Sequence, residues 1–262
     1  MSIPTYDQIL NATNAYIKRL HQYDITLIIK ELVNNYKLET QVYVFPYPGT
    51  IPLTKNSTAI DLYLYETNIG VFTELWAPNK QYRYNIGIFS IPMKDNQAHY
   101  MALLIDNKNM EIIVWDSLAE NNDEIKFELE IFSEIYSEYA VVSITICSGC
   151  RTYQTENLWY EQNIFCHTWS LWFVDQVLYG LHLKYSIQSI IEFLQNSCER
   201  EIYNLITIKN FAKFLSLNYL EYKPQKAFNF VADIDFGVII ELLDEDIHLK
   251  WKNFNEIVDL DD

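Results

Sequence analysis

The spacing of apolar positions changes repeatedly along the chain, and each change marks an element. Over residues 6–20 and 25–36 apolar and polar residues mix at helical intervals, so roughly the first 40 residues read as helical. Residues 40–45 then alternate with the period of two expected of a strand, and Pro46, Pro48 and Gly49 end it. Residues 56–64 predict a short helix, either a packing layer or a substrate-facing subsite. From Gly70 onward the pattern is that of strands, over 71–76, 84–91, 100–105 and 112–115. Between the last two, Asp106-Asn107-Lys108-Asn109 is turn chemistry, because short Asn and Asp side chains bond their own backbone.

A helix over 124–139 is expected from Phe127, Leu129, Ile131 and Ile135. A β-branched strand over 140–147 follows, then a polar and aromatic loop over 148–165, then a helix from Cys166 towards Tyr179. In that helix Trp169, Trp172 and Phe173 stand at helical spacing and read as core, whereas Trp159 and Tyr160 in the loop are open to a substrate role. Residues 186–221 look helical, with Ile187, Ile190, Ile191 and Leu194 on one face. Residues 228–239 read as a strand or short helix, and 241–246 and 258–262 as acidic surface. Helix, mostly antiparallel strands, helix, strand and helix in that order predict an α+β fold, a central mixed sheet flanked by helices. The expected organisation is a mainly helical accessory region over 1–66, a core over 67–182, and a mainly helical extension over 183–262 packed on the core.

Composition narrows the function classes. With 262 residues, half of them hydrophobic, the chain can bury a sizeable core and is not a disordered segment. A formal net charge of -16, with only 19 Lys and Arg, argues against neutralising nucleic-acid phosphates. Basic proteins or peptides fit the charge better. Six glycines and no phosphate-binding fingerprint argue against a nucleotide cofactor. Four cysteines in a chain this long do not suggest a disulfide scaffold. The start of the sequence lacks a leader pattern, and no long uncharged apolar run is present, so a soluble protein of a reducing compartment is expected. Cys147-Ser148-Gly149-Cys150 has the spacing of half a zinc site, but no second such pair occurs; ordinary thiols are the expected reading, and no metal or other cofactor is implied.

The chemistry lies at element ends. Cys166 opens a helix, where unpaired backbone N–H groups favour an anionic sulfur. His99 opens one strand and Asp116 closes the next, and a short turn joins the two. The start of one strand and the end of its antiparallel neighbour share a sheet edge, so Asp116 can hold one imidazole nitrogen while the other faces Cys166. Acyl transfer also needs donors for the oxyanion: the Cys166 N–H is one candidate, and Gln154 or Gln162 could supply another.

His99-Tyr100, Trp115-Asp116-Ser117, Tyr153-Gln154-Thr155-Glu156 and Cys166-His167-Thr168-Trp169-Ser170-Leu171 occur in an order that resembles the adenain and ubiquitin-like-protein protease superfamily of cysteine peptidases. The pattern looks most like members encoded by large DNA viruses, and the similarity covers about residues 84–180. The resemblance implies a papain-like core with Cys166, His99 and Asp116 as triad and Gln154 in the oxyanion hole. It implies a protein substrate, either viral precursor polyproteins cleaved during virion maturation or ubiquitin-like conjugates, cut after small residues such as Gly. The expected location is host cytoplasm or virion, with no membrane partner. Two other functions use the same residues or fold: an acyltransferase with this triad, and a catalytically inactive protein-binding module.

Overall fold

In a computed structural model the described residues are 25–46, 49–50, 72–92, 98–117, 130–144, 166–196 and 211. The elements are α1 (Ile25–Asn35), β1 (Val42–Val44), β2 (Gly49–Thr50), β3 (Tyr84–Pro92), β4 (Ala98–Asp106), β5 (Glu111–Trp115), β6 (Ala140–Ile144), α2 (Cys166–His182) and α3 (Ile187–Asn196). The chain divides into two compact units, Asp24–Asn204 and a second formed by Met1–Tyr23 with Leu205–Asp262. All the elements named here belong to the first. The patterns read over 6–20, 56–64, 228–239, 241–246 and 258–262 lie outside the described residues, as do the loop over 148–165 and the cysteines Cys147, Cys150 and Cys198.

The sheet is mixed, with strand order β1-β3-β4-β5-β6 and β2 also paired to β3. β3, β4 and β5 form an antiparallel meander, while β1 and β2 run parallel to β3 and β6 runs parallel to β5. Both faces of the central strands are covered, which is why β4 and β5 read as continuous apolar runs rather than alternating ones. On one face Phe89, Met101, Leu103, Ile112 and Val114 pack with Ile131, Phe132 and Tyr136. On the other, Trp115 stacks on Phe173 of α2, with ring centroids 5.0 Å apart and planes 13° from parallel. Trp169, Trp172 and Phe173 are all buried, as their spacing predicts. The observed architecture is therefore the expected α+β arrangement of helices about a mixed sheet.

One expectation fails. The stretch 71–76 reads as a strand, but residues 72–75 are helical and Trp76 ends the turn. The Trp76 N–H donates to the Phe72 carbonyl at 2.8 Å, and the two rings stack at 5.2 Å. Burial of Phe72 and Trp76 with Leu75 exposed follows a period of four, not two. This turn presses against the sheet where β3 has Gly87: a Cβ there would stand 2.8 Å from both Phe45 Cβ and the Trp76 ring.

α1 packs on α2, β1 and β3. Its link to α2 is polar as well as apolar, because just beyond α1 the Tyr36 hydroxyl donates to Asp175 Oδ1 at 2.7 Å. Among the described residues no helix is long and apolar enough to cross a membrane.

Candidate active site

Register places the first two groups. His99 pairs with Ile91 across β3, and Trp115 pairs with Ala102 across β4. Continuing that register by one position sets Asp116 opposite Met101, two residues from His99 and on the same face. Such diagonal neighbours are within reach of each other's side chains. The contact is made: His99 Nε2–H donates to Asp116 Oδ1 at 2.6 Å. The distance is at the short end for a charge-assisted bond. Both residues are buried, at 6% and 2% exposure. Binding Asp116 through Nε2 selects the tautomer that leaves Nδ1 with its lone pair in the neutral ring. Among the described residues His99 Nδ1 has no hydrogen-bond partner.

Two opposed influences act on the imidazole. Burial is the largest single one and pushes its pKa down. The charge of Asp116 and its hydrogen bond push up, as does Cys166 beside the ring, and together they prevail. The imidazole is held well above its ordinary 6.5. Cys166 therefore lies beside the ring and favours its protonated form.

Cys166 is the first residue of α2 and is 3% exposed. The first N–H groups of a helix have no partner within it, so the Cys166 amide has none inside α2 and stands beside its own sulfur. Two contacts hold this end of α2 against the sheet. The Ser170 hydroxyl lies 2.9 Å from the Cys166 carbonyl and 3.1 Å from the Tyr100 carbonyl of β4. The Trp115 ring, one residue before Asp116, rests on Phe173 and lies 6.0 Å from Trp172.

His99, Asp116 and Cys166 are thus brought together from two strand ends and a helix start. Gln154 and its alternative Gln162 lie outside the described residues. Among the described residues no group of three or more His, Cys, Asp or Glu could hold a metal ion. Ser170 was missed by sequence reasoning. Its only signal there is a small polar residue one helical turn after the cysteine, within an otherwise apolar helix.

Residues 64–142 match the Ulp1 protease family, C-terminal catalytic domain. Among solved structures the chain is similar to the C-terminal Ulp1 protease domain in complex with Smt3, the yeast ortholog of SUMO. That similarity has 16% identity, covers 72% of this chain and 74% of that one, and has a TM-score of 0.34. It is also similar to the Chlamydia trachomatis effector protein Cdu1 bound to ubiquitin, with 12% identity, coverage of 81% and 94%, and a TM-score of 0.34. No curated protein matches the chain significantly. The family match spans His99 and Asp116 and ends before Cys166.

Proposed function

We propose that the chain is a cysteine endopeptidase, with Cys166 as nucleophile, His99 as base and then acid, and Asp116 as the carboxylate that orients the ring. The observation that carries this reading is the His99 ring itself. Nε2 is committed to Asp116 at 2.6 Å, Nδ1 is left without a hydrogen-bond partner among the described residues, and Cys166 acts on the same imidazole. The family match over 64–142 supports the same assignment for the two sheet residues.

In this reading Nδ1 takes the thiol proton and the sulfur attacks the peptide carbonyl carbon. The oxyanion accepts bonds from the Cys166 N–H and from Gln154. Collapse breaks the C–N bond, and the leaving amine takes the proton from Nδ1. A water molecule, deprotonated by His99, then hydrolyses the thioester and frees the sulfur. Asp116 remains ionised throughout, supporting the imidazolium that forms twice in the cycle. The proposed substrates are viral precursor polyproteins or ubiquitin-like conjugates cut after a small residue such as Gly, met in host cytoplasm or virion. The resemblance of the site motifs is what points to these substrates.

The test uses reduced wild-type and Cys166→Ala protein, incubated with C-terminal electrophilic probes. The probes are built on ubiquitin, its relatives and Gly-Gly peptides, and intact mass is the readout. One adduct per chain, confined to wild type, is expected, and the preferred probe names the substrate class. Folded wild-type protein that reacts with none of them sinks the peptidase reading in favour of acyl transfer or binding alone.

A further inference from the structure

Among the buried polar side chains that the peptidase reading leaves without a role is Ser170, close to the nucleophile. Ser170 is fully buried, one helical turn after Cys166. A serine inside a helix commonly back-bonds to the carbonyl four residues earlier, and Ser170 does so to Cys166 at 2.9 Å. Back-bonding alone is a local habit. The second acceptor is not local: the Tyr100 carbonyl, 70 residues away in β4, lies 3.1 Å from the same oxygen. A hydroxyl has one proton, so it is shared between these two carbonyls.

The two acceptors are informative. One belongs to the nucleophile, and the other belongs to the residue that follows His99. A single buried hydroxyl therefore bridges the peptide of Cys166 to the strand that carries its base. The stack of Trp115 on Phe173 constrains α2 further along, relative to the strand of Asp116.

We propose that Ser170 is a positioning residue, whose hydroxyl sets the separation and alignment of Cys166 and His99. This inference rests on the peptidase reading, because it concerns how that pair is held. A misplacement of about 1 Å costs on the order of 100-fold in rate, and loss of one shared tether should cost less, about tenfold.

The experiment measures alkylation of Cys166 by iodoacetamide, read by peptide mass spectrometry, across pH and without any substrate. Wild type, His99→Ala, Ser170→Ala and Ser170→Thr are compared, with melting temperatures alongside. Ser170→Ala should react about tenfold more slowly at neutral pH, with a pH profile displaced towards that of His99→Ala. Ser170→Thr, which keeps the hydroxyl, should return to within about threefold of wild type. An unchanged rate and profile in Ser170→Ala, beside an altered His99→Ala, overturns the positioning role alone. Equal losses in Ala and Thr variants also overturn it, since the loss then follows packing rather than the hydroxyl. If His99→Ala itself matches wild type, the Cys166–His99 pair fails, and the positioning role falls with it.

Discussion

The β4–β5 hairpin has two buried polar ends, and they are finished in opposite ways. At the turn, Asp106 is fully buried and saturated. Its Oδ1 accepts the N–H groups of Lys108 and Asn109, at 2.9 and 3.3 Å, and its Oδ2 accepts the Asn109 amide at 3.0 Å. The Asn107 amide donates to the carbonyls of Asn79 and Tyr82, at 3.0 and 2.7 Å, and its oxygen accepts the Tyr139 hydroxyl at 2.8 Å. At the open end, His99 is bonded to Asp116 through Nε2, and among the described residues its Nδ1 has no fixed partner. An unmade bond on a buried polar atom costs about 1–3 kcal/mol. The turn avoids that cost with fixed partners, whereas the open end leaves one ring nitrogen facing a cysteine. Saturation is what a structural network needs; an acid–base group must keep one nitrogen uncommitted to a fixed partner, so that it can hold a proton and release it.

The comparison breaks most sharply at Asp116. In Asp116→Asn, an amide replaces the carboxylate, and its NH2 can donate to Nε2. That favours the tautomer with the proton on Nδ1, which is no base towards Cys166. We expect kcat to fall by about 10⁴-fold while the fold is retained, as for other triads altered in this way. Steady-state kinetics on the substrate named by the electrophilic probes would measure it. A loss below about tenfold would reduce Asp116 to a packing and capping group.

The opposite perturbation belongs at the turn. Asn107→Ala removes two donors and leaves the Tyr139 hydroxyl without that acceptor, so unfolding free energy should drop by about 1–3 kcal/mol. Because the change is at the far end of the hairpin, kcat should stay within about twofold. Urea unfolding together with kinetics on the same preparation separates the two effects. A large loss of activity at unchanged stability would mean the two ends are coupled.

Much of this contrast is legible in the sequence, for a physical reason. β3, β4 and β5 are buried on both faces, so their residues form dense apolar runs, and a run that stops at His99 or Asp116 announces a sheet edge. The Asp106–Asn109 turn is legible because its residue types bond their own backbone. The parallel pairing of β1, β2 and β6 is not written in local periodicity, since a short strand looks the same whichever way its neighbour runs. Residues 71–76 misled because six apolar and polar residues fit a period of two or four almost equally, and only the stacking of Phe72 on Trp76 decides. Ser170 is visible in the sequence only as part of the motif that follows Cys166, and its contact with β4 is not, because that second acceptor is distant in the chain and is met only once α2 lies on β4.

The smallest effect tests which influence governs His99. Burial, acting alone, would hold the ring neutral, whereas Asp116 holds it protonated, and the balance lies well above 6.5. A folded-state pKa above the unfolded one means that the folded chain binds the proton more tightly. The resulting stability is complete below about 6.5 and is lost as pH rises through the folded value. In a Cys166→Ala background the thiol does not titrate, and the influence of Asp116 remains. There, the unfolding free energy of the His99 chain minus that of its His99→Gln counterpart should be level from about pH 5.5 to 6.5. It should then decline on the alkaline side, by at most about 1.4 kcal/mol per pH unit. Urea denaturation at a series of pH values measures that difference directly. A difference that grows with pH would reverse the sign: burial would then outweigh the carboxylate, and the ring would rest neutral, with Nδ1 open and no ion pair at Nε2.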